Sequence, residues 1–130
     1  MNVRFLELPE VLELHEGLIR RFGGASGLRD AGLLESALNQ PRATFGGEYL
    51  HADPVEMAAA YVFHVVEAHA FVDGNKRIGL QSALVFLVDN GVPVPPSSSP
   101  GLYELTMAVA RGDMKKAAVA SELRRLLLAS

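Results

Sequence analysis

Apolar residues recur at intervals of three and four along most of the chain, a pattern typical of amphipathic helices. The first such segment ends in a glycine pair, as is common just past a helix end, and predicts a helix over about 9–22. A second helix is predicted from Asp30, which can cap it, to a stop at Pro41. Residues 42–51 contain glycines and aromatic side chains and predict a loop or a short extended flap.

The two segments in the middle of the chain are apolar on nearly every face. A strong helix start is predicted at Asp53, because the Asp can cap, a Pro follows at the first helical position, and a Glu three residues on closes a capping box. The helix that follows is apolar on nearly every face, with apolar residues at 57–60, 62, 63, 65 and 66, which indicates a central position in the domain. After a break at 71–74, Asn75 begins a second mostly apolar helix that stops at Asn90.

The last third of the chain predicts a linker and two more helices. Residues 93–100 (PVPPSSSP) form the linker, and Ser99 can start a fifth helix. Asp113 is predicted to cap a sixth helix that reaches about Leu127. Strand signals are scarce, so the fold class is all-α, with about six helices around two central ones and a short flap.

Composition narrows the function classes. The 130 residues suit one domain over 1–130, and 12 basic against 15 acidic residues give a net charge of −3, which disfavours a general nucleic-acid binder. The absence of cysteine excludes disulfides, cysteine nucleophiles and thiolate metal sites. The N-terminus lacks the apolar run of a signal peptide, and charged residues interrupt the most apolar stretch, so we expect a cytoplasmic protein without a membrane partner.

One segment between the two central helices concentrates the side chains that can do chemistry. Residues 69–77 read HAFVDGNKR. A loop that leads into a helix start offers unpaired N–H groups and the positive end of the helix dipole, and both favour an anion. Asp73 is the kind of oxygen ligand that Mg²⁺ uses together with substrate phosphates, and His69 can accept a proton from a hydroxyl. The segment therefore predicts a nucleotide-phosphate site with a base beside it.

The neighbouring residues of this segment support the same interpretation. Gly74 permits a backbone turn that points N–H groups inward, and Lys76 and Arg77 add positive charge. Phe71 is apolar among polar neighbours, so we expect it to anchor the loop in the core. Gln81, one turn after Arg77, is a possible further member. Any one of these residues is also typical of an ordinary junction between helices; it is the whole set at this spacing that favours a site.

The other histidines are predicted to have structural or surface roles. His15 lies on or beside the apolar face of the first helix and is expected to pack there. His64 lies five residues before His69, about 140° around a helix, which disfavours a shared metal. His51 borders the flap and is expected at the surface.

The segment closely resembles the motif His-Pro-Phe-x-Asp-Gly-Asn-Lys-Arg in the Doc branch of the Fic/Doc family. Residues 14–24, 32–38, 45–49 and 83–91 are also similar to the death-on-curing toxins of that branch. The resemblance implies a compact Fic-like helical fold and the toxin half of a toxin–antitoxin pair.

The resemblance also implies roles for individual residues. His69 matches the catalytic histidine, and Asp73 matches the residue that positions Mg²⁺ and the ATP phosphates. Two positions depart from other members, with Ala70 where most have Pro, and Lys76 where adenylyl-transferring Fic proteins have Gly. The Doc-type lysine is associated with transfer of the γ-phosphoryl group. The remaining matches are a packing residue at Phe71 and an anion-binding stretch at Asn75, Lys76 and Arg77, so the nucleotide-binding residues are expected to be Asp73, Gly74, Asn75, Lys76 and Arg77.

The function implied is a protein kinase that uses ATP and Mg²⁺ to modify a threonine of elongation factor Tu and so arrest translation. The implied partner is an antitoxin whose disordered C-terminal tail folds as a helix on binding. We expect its groove near the first helices and the flap, around Phe22, Phe45 and Tyr49. Two alternatives stay open, a Fic-type adenylyltransferase and a non-catalytic interaction module with a vestigial site.

Overall fold

The computed structural model describes residues 2–128, which contain six α-helices and one small hairpin. The elements are α1 (Leu8–Phe22), α2 (Ala31–Asn39), β1 (Thr44–Phe45), β2 (Glu48–Tyr49), α3 (Pro54–Ala68), α4 (Asn75–Asp89), α5 (Ser99–Ala110) and α6 (Lys116–Leu128), with a 3₁₀ turn at Pro96–Ser98. The two strands pair antiparallel and form the predicted flap. The predicted all-α fold class is confirmed.

Helix α3 lies at the centre of the domain. It packs against α2, α4, α5 and α6. Its fully buried positions surround the helix, as its apolar sequence predicted: Met57, Ala58, Ala59, Ala60, Tyr61, Val62, Val65 and Val66. Helix α4 lies close against α3 at Gly79, where an added Cβ would be 2.5 Å from Cγ2 of Val66. This close approach fixes the junction between the two helices, and the candidate site lies at that junction.

The predicted helix starts at Asp30 and Asp53 are confirmed. Oδ1 of Asp30 accepts a hydrogen bond from the N–H of Leu33 at 3.0 Å, and Oδ1 of Asp53 accepts one from the N–H of Glu56 at 3.0 Å. Glu56 reaches back to the N–H of Ala52 at 2.7 Å, one residue before the cap. These bonds satisfy N–H groups that a helix start would otherwise leave without acceptors.

Three sequence-based expectations were wrong in detail. The sixth helix begins at Lys116 because Asp113 pairs with Arg111 at 3.0 Å instead of capping. The linker is partly helical, since its last residues form the 3₁₀ turn and the first turn of α5. His51 is buried, and burial together with the nearby Lys116 charge lowers its pKa. No helix among the described residues is long and apolar enough to cross a membrane.

Candidate active site

His69 ends helix α3 in a strained conformation. Its backbone lies in the left-handed region, with φ 47° and ψ 43°, and it is the one non-glycine residue with positive φ between residues 2 and 128. Such a conformation costs about 1–3 kcal/mol and persists where the surroundings enforce it. Here the guanidinium of Arg29 donates a hydrogen bond to the His69 carbonyl, while the His69 side chain is exposed. The strain turns the chain out of α3 and leaves the imidazole accessible.

The loop after His69 is held by residues 23–30, which we call the strap. The N–H groups of Arg29 and Asp30 both donate to the carbonyl of Ala70, at 2.7 and 3.0 Å. The N–H of Val72 donates to the carbonyl of Gly27 at 3.0 Å. The loop, residues 70–74, is therefore tied by backbone hydrogen bonds to a segment 40 to 45 positions earlier in the sequence.

Asp73 presents an ionised carboxylate whose orientation is fixed by backbone donors. Its Oδ2 accepts a hydrogen bond from the N–H of Ala25 at 3.2 Å, and its Oδ1 accepts one from the N–H of Gly74 at 2.8 Å. These two N–H groups hold the pKa of Asp73 below its ordinary value. Because the carboxylate is exposed, its remaining lone pairs are accessible to a ligand.

Asn75 and Phe71 close the loop on itself. The Asn75 side chain accepts from the N–H of Phe71 and donates to its carbonyl, both at 3.0 Å. The Phe71 ring is 3% exposed and stacks on the ring of His15, with centroids 3.8 Å apart. The structure thus places Phe71 as the predicted anchor. Because the Asn75 side chain is bonded to the loop backbone, the group that Asn75 can offer to an anion is its backbone N–H.

The start of helix α4 is positively charged and open. Gly74 precedes it with φ 77°, and the first turn contains no acidic residue and no side-chain cap. Among the described residues, the N–H groups of Asn75, Lys76 and Arg77 have no protein acceptor. Lys76 and Arg77 form no ion pair within this part of the chain, and the Arg77 guanidinium lies 4.6 Å from the centroid of the Phe22 ring. Helix dipole and side chains together favour an anion.

His69, the end of the loop and the start of α4 line one cleft of about 700 Å³, which we call the site cleft. One wall holds His69 and all the predicted nucleotide-binding residues from Asp73 to Arg77. The other wall is a face of α5 with one residue of α4. Its members are Leu80, Tyr103, Thr106, Met107 and Ala110.

Gln81 does not line the site cleft. It lines a separate cleft of about 510 Å³ between α1 and α4, together with Arg20 and Arg21. One further helical turn carries residue 81 past the loop and along the face of α4 that meets α1. The structure therefore does not bring Gln81 together with the predicted phosphate-binding residues.

Sequence reasoning missed the strap and the α5 wall. The strap includes Gly24, where an added Cβ would lie 2.7 Å from Oδ2 of Asp73, but in the sequence the glycine pair indicates only a helix end. Tyr103 and Met107 fit an ordinary apolar helix face and carry no sequence signal for a site. Neither feature is local in sequence to the loop, so no motif spacing reveals it.

Comparisons with known proteins agree with this geometry. The model of the Fic/DOC family matches residues 5–87, more than half of the chain. The protein kinase doc of Escherichia phage P1 is 38% identical over 124 residues, which cover 95% of this chain and 96% of that protein. The toxin Doc of Mycolicibacterium smegmatis is 37% identical over 103 residues, which cover 78% and 79%.

These relatives confirm the prediction of a Doc-type toxin with kinase activity. The matched range includes the strap and the loop, and with them His69 and the residues from Asp73 to Arg77 that line the site cleft. With this agreement between motif, fold and whole-chain similarity, the protein belongs to the Fic/Doc family.

Proposed function

We propose that this protein transfers the γ-phosphoryl group of Mg-ATP to a threonine hydroxyl of a translation factor, with elongation factor Tu as the expected substrate. One observation carries the proposal: an exposed imidazole, an ionised carboxylate and the open start of α4 share one wall of the site cleft. A base, a metal-binding carboxylate and an anion site are the parts that phosphoryl transfer requires.

The metal in this proposal arrives with the nucleotide. Among residues 2–128 no group of three His, Cys, Asp or Glu side chains is placed to hold a metal ion. A single carboxylate such as Asp73 is sufficient for Mg²⁺, because this ion often binds one or two carboxylates together with substrate phosphates. When bound, the ion would neutralise phosphate charge, and Asp73 is the residue that would hold it.

The transfer step assigns a proton and a leaving group. The target hydroxyl oxygen forms a bond to the γ-phosphorus, and its proton passes to the imidazole of His69. The bond from the γ-phosphorus to the bridging oxygen breaks, and ADP leaves. Lys76, Arg77 and the N–H groups at the start of α4 stabilise the negative charge on the transferring group.

The α5 wall supports a nucleotide over a free phosphate. Tyr103 and Met107 bring an aromatic and an apolar surface into the same cleft as the cations. The hydroxyl of Thr106 donates to the carbonyl of Leu102 at 2.8 Å, so it does not donate into the cleft. A nucleoside triphosphate has a polyanionic tail and an apolar aromatic base, and the two walls match these two ends.

The test uses ATP labelled on the α or the γ phosphorus with elongation factor Tu. We expect γ-label to transfer, about 10²- to 10⁴-fold more slowly with His69→Ala. Asp73→Asn should need more Mg²⁺, because the anionic ligand is lost. Gln81→Ala, outside the site cleft, is the control and should transfer at the wild-type rate.

The alternatives have their own outcomes. Transfer of the α-label would make the protein an adenylyltransferase. No transfer of either label, together with growth arrest that persists in His69→Ala, would indicate a non-catalytic module.

We also propose that an antitoxin tail binds the α1–α4 cleft as a helix. The floor of this cleft includes Leu14 and Leu18. Its charges divide into a basic group at Arg20 and Arg21 and an acidic group at Glu10 and Glu13, about two turns of α1 apart. An amphipathic helix with opposite charges at its two ends fits this pattern.

This position differs from the groove expected from the sequence. Phe45 is 83% exposed on the flap, and neither Phe45 nor Phe22 lines a cleft. Phe22 is half exposed, and the guanidinium groups of Arg21 and Arg77 lie 5.2 and 4.6 Å from the centroid of its ring. Calorimetry with the C-terminal peptide of the antitoxin separates the two positions. Arg20→Glu should weaken binding and Phe45→Ala should not, whereas the reverse result would place the groove at the flap.

A further inference from the structure

His15 is a buried polar residue that lines neither cleft and yet contacts the loop that forms the site. It lies in the middle of α1 and is 1% exposed. Its Nε2 lies 2.8 Å from the carbonyl oxygen of Asp73, 58 positions away in sequence. Its ring stacks on Phe71 with an interplanar angle of 15°. One side chain of α1 thus contacts both the anchor of the loop and its carboxylate residue.

We infer that His15 is a positioning residue for the site, because its Nε2–H, donated to the Asp73 carbonyl, fixes the direction in which Asp73 presents its carboxylate. A carbonyl can only accept, so Nε2 is the protonated ring nitrogen in this contact. The neutral Nε2–H tautomer and the imidazolium both supply this donor. His15 therefore acts through Asp73 and touches no reacting group itself.

The planarity of the peptide bond links the two hydrogen bonds. The carbonyl of Asp73 and the N–H of Gly74 belong to the same rigid peptide unit. His15 holds that unit by its oxygen, and the N–H on the other side donates to Oδ1 of Asp73 at 2.8 Å. A donor on the carbonyl also polarises the unit and strengthens its N–H as a donor. Rotation of this peptide would break the bond from the Gly74 N–H to Oδ1 and leave the carboxylate with the N–H of Ala25 as its remaining backbone donor.

The close fit of Gly74 against α1 supports this arrangement. Gly74 has φ 77°, and a Cβ added there would lie 3.4 Å from both Nε2 of His15 and Cδ1 of Ile19. His15 and Ile19 are four residues apart and thus adjacent on one face of α1. They form the surface on which the turn at residues 73–74 rests, so α1 sets the position of that turn.

Packing alone does not explain a histidine at this position. A buried polar side chain costs free energy unless it is hydrogen-bonded, and an apolar ring would stack on Phe71 without that cost. Among the described residues, the Asp73 carbonyl is the one hydrogen-bond partner of the His15 side chain. The feature that distinguishes histidine from phenylalanine here is the donor.

Two substitutions separate the donor from the ring. His15→Phe keeps an aromatic ring for Phe71 and removes the donor, whereas His15→Gln keeps a side-chain N–H donor of similar reach and removes the ring. The first readout is hydrogen exchange at the N–H groups of Ala25 and Gly74 in the free protein, since both donate to the Asp73 carboxylate. The second is the Mg²⁺ concentration that gives half-maximal phosphoryl transfer, and this part rests on the proposed function.

We expect His15→Phe to exchange about 10-fold faster at these two N–H groups and to need about 10-fold more Mg²⁺, the effect of one hydrogen bond. His15→Gln should restore both values towards wild type, although it melts at a lower temperature because the stack is lost. Wild-type exchange in His15→Phe, or fast exchange in both variants, overturns the inference. If His15→Phe does not fold, fast exchange in His15→Gln alone is sufficient to overturn it. A failed kinase assay with the expected exchange pattern contradicts the proposed function and leaves the positioning role supported.

Discussion

Replacement of Gly24 by alanine tests whether the strap holds Asp73 in its working position. Gly24 has φ 109°, and an added Cβ would lie 2.7 Å from Oδ2 and 3.2 Å from Cγ of Asp73. Oδ2 is the oxygen that the N–H of Ala25 holds. The new methyl group and the carboxylate cannot both keep their places, so the carboxylate must shift or the strap must lift.

The size of the effect follows from the contact. The 2.7 Å separation is about 0.7 Å shorter than the 3.4 Å at which ordinary contact begins. Misplacement of a catalytic group by about 1 Å can lower a rate by about 10²-fold. Alanine at this φ also costs about 1–3 kcal/mol of stability. We therefore expect Gly24→Ala to lose stability and, in addition, to transfer phosphoryl groups about 10²-fold more slowly.

Gly23→Ala is the matched control. Gly23 also has positive φ, 87°, and a Cβ added there meets nothing within 4 Å. The control should lose a similar amount of stability and keep most of its activity. The assay measures transfer rates well below the melting temperature of both variants, with thermal unfolding followed by circular dichroism. Equal loss of rate in the two variants would refute the idea that the strap positions Asp73.

Three further predictions concern strain, pH and packing. His69→Gly should raise the free energy of unfolding, measured by urea denaturation, by up to about 1 kcal/mol, because the left-handed strain is relieved. Phosphoryl transfer should be lost, and a variant less stable than wild type would contradict this prediction. Burial, with the charges of nearby Lys116 and His51, lowers the pKa of His64 to about 4. Unfolding releases the imidazole to its ordinary 6.5, so stability should fall as pH drops from about 6.5 towards 4, and His64→Gln should flatten that slope in urea midpoints. Gly79→Ala should lower the free energy of unfolding by about 1–3 kcal/mol, because the added Cβ clashes with α3. Gly17→Ala, whose Cβ meets nothing within 4 Å, should stabilise α1 by about 0.5–1 kcal/mol. Equal shifts in the melting temperature of the two variants would contradict this prediction.

Several features follow from the sequence because their causes are local. The caps at Asp30 and Asp53 depend on side chains that bond N–H groups three residues away. The burial of α3 follows from a sequence that is apolar on nearly every face. The motif from His69 to Arg77 is contiguous, so its chemistry is legible without a structure. Interactions within one or two helical turns are encoded in spacing, and spacing is what a sequence displays.

Only the tertiary structure decided which distant residues complete the site. The spacing from Arg77 suggested Gln81, but the packing of α4 on α1 turns residue 81 into the other cleft. His15 has the periodicity of a packing residue, and its bond to Asp73 exists because α1 lies against the loop. The α5 wall has no motif at all. These contacts depend on how helices pack in three dimensions, and neither propensity nor spacing along the chain determines that packing.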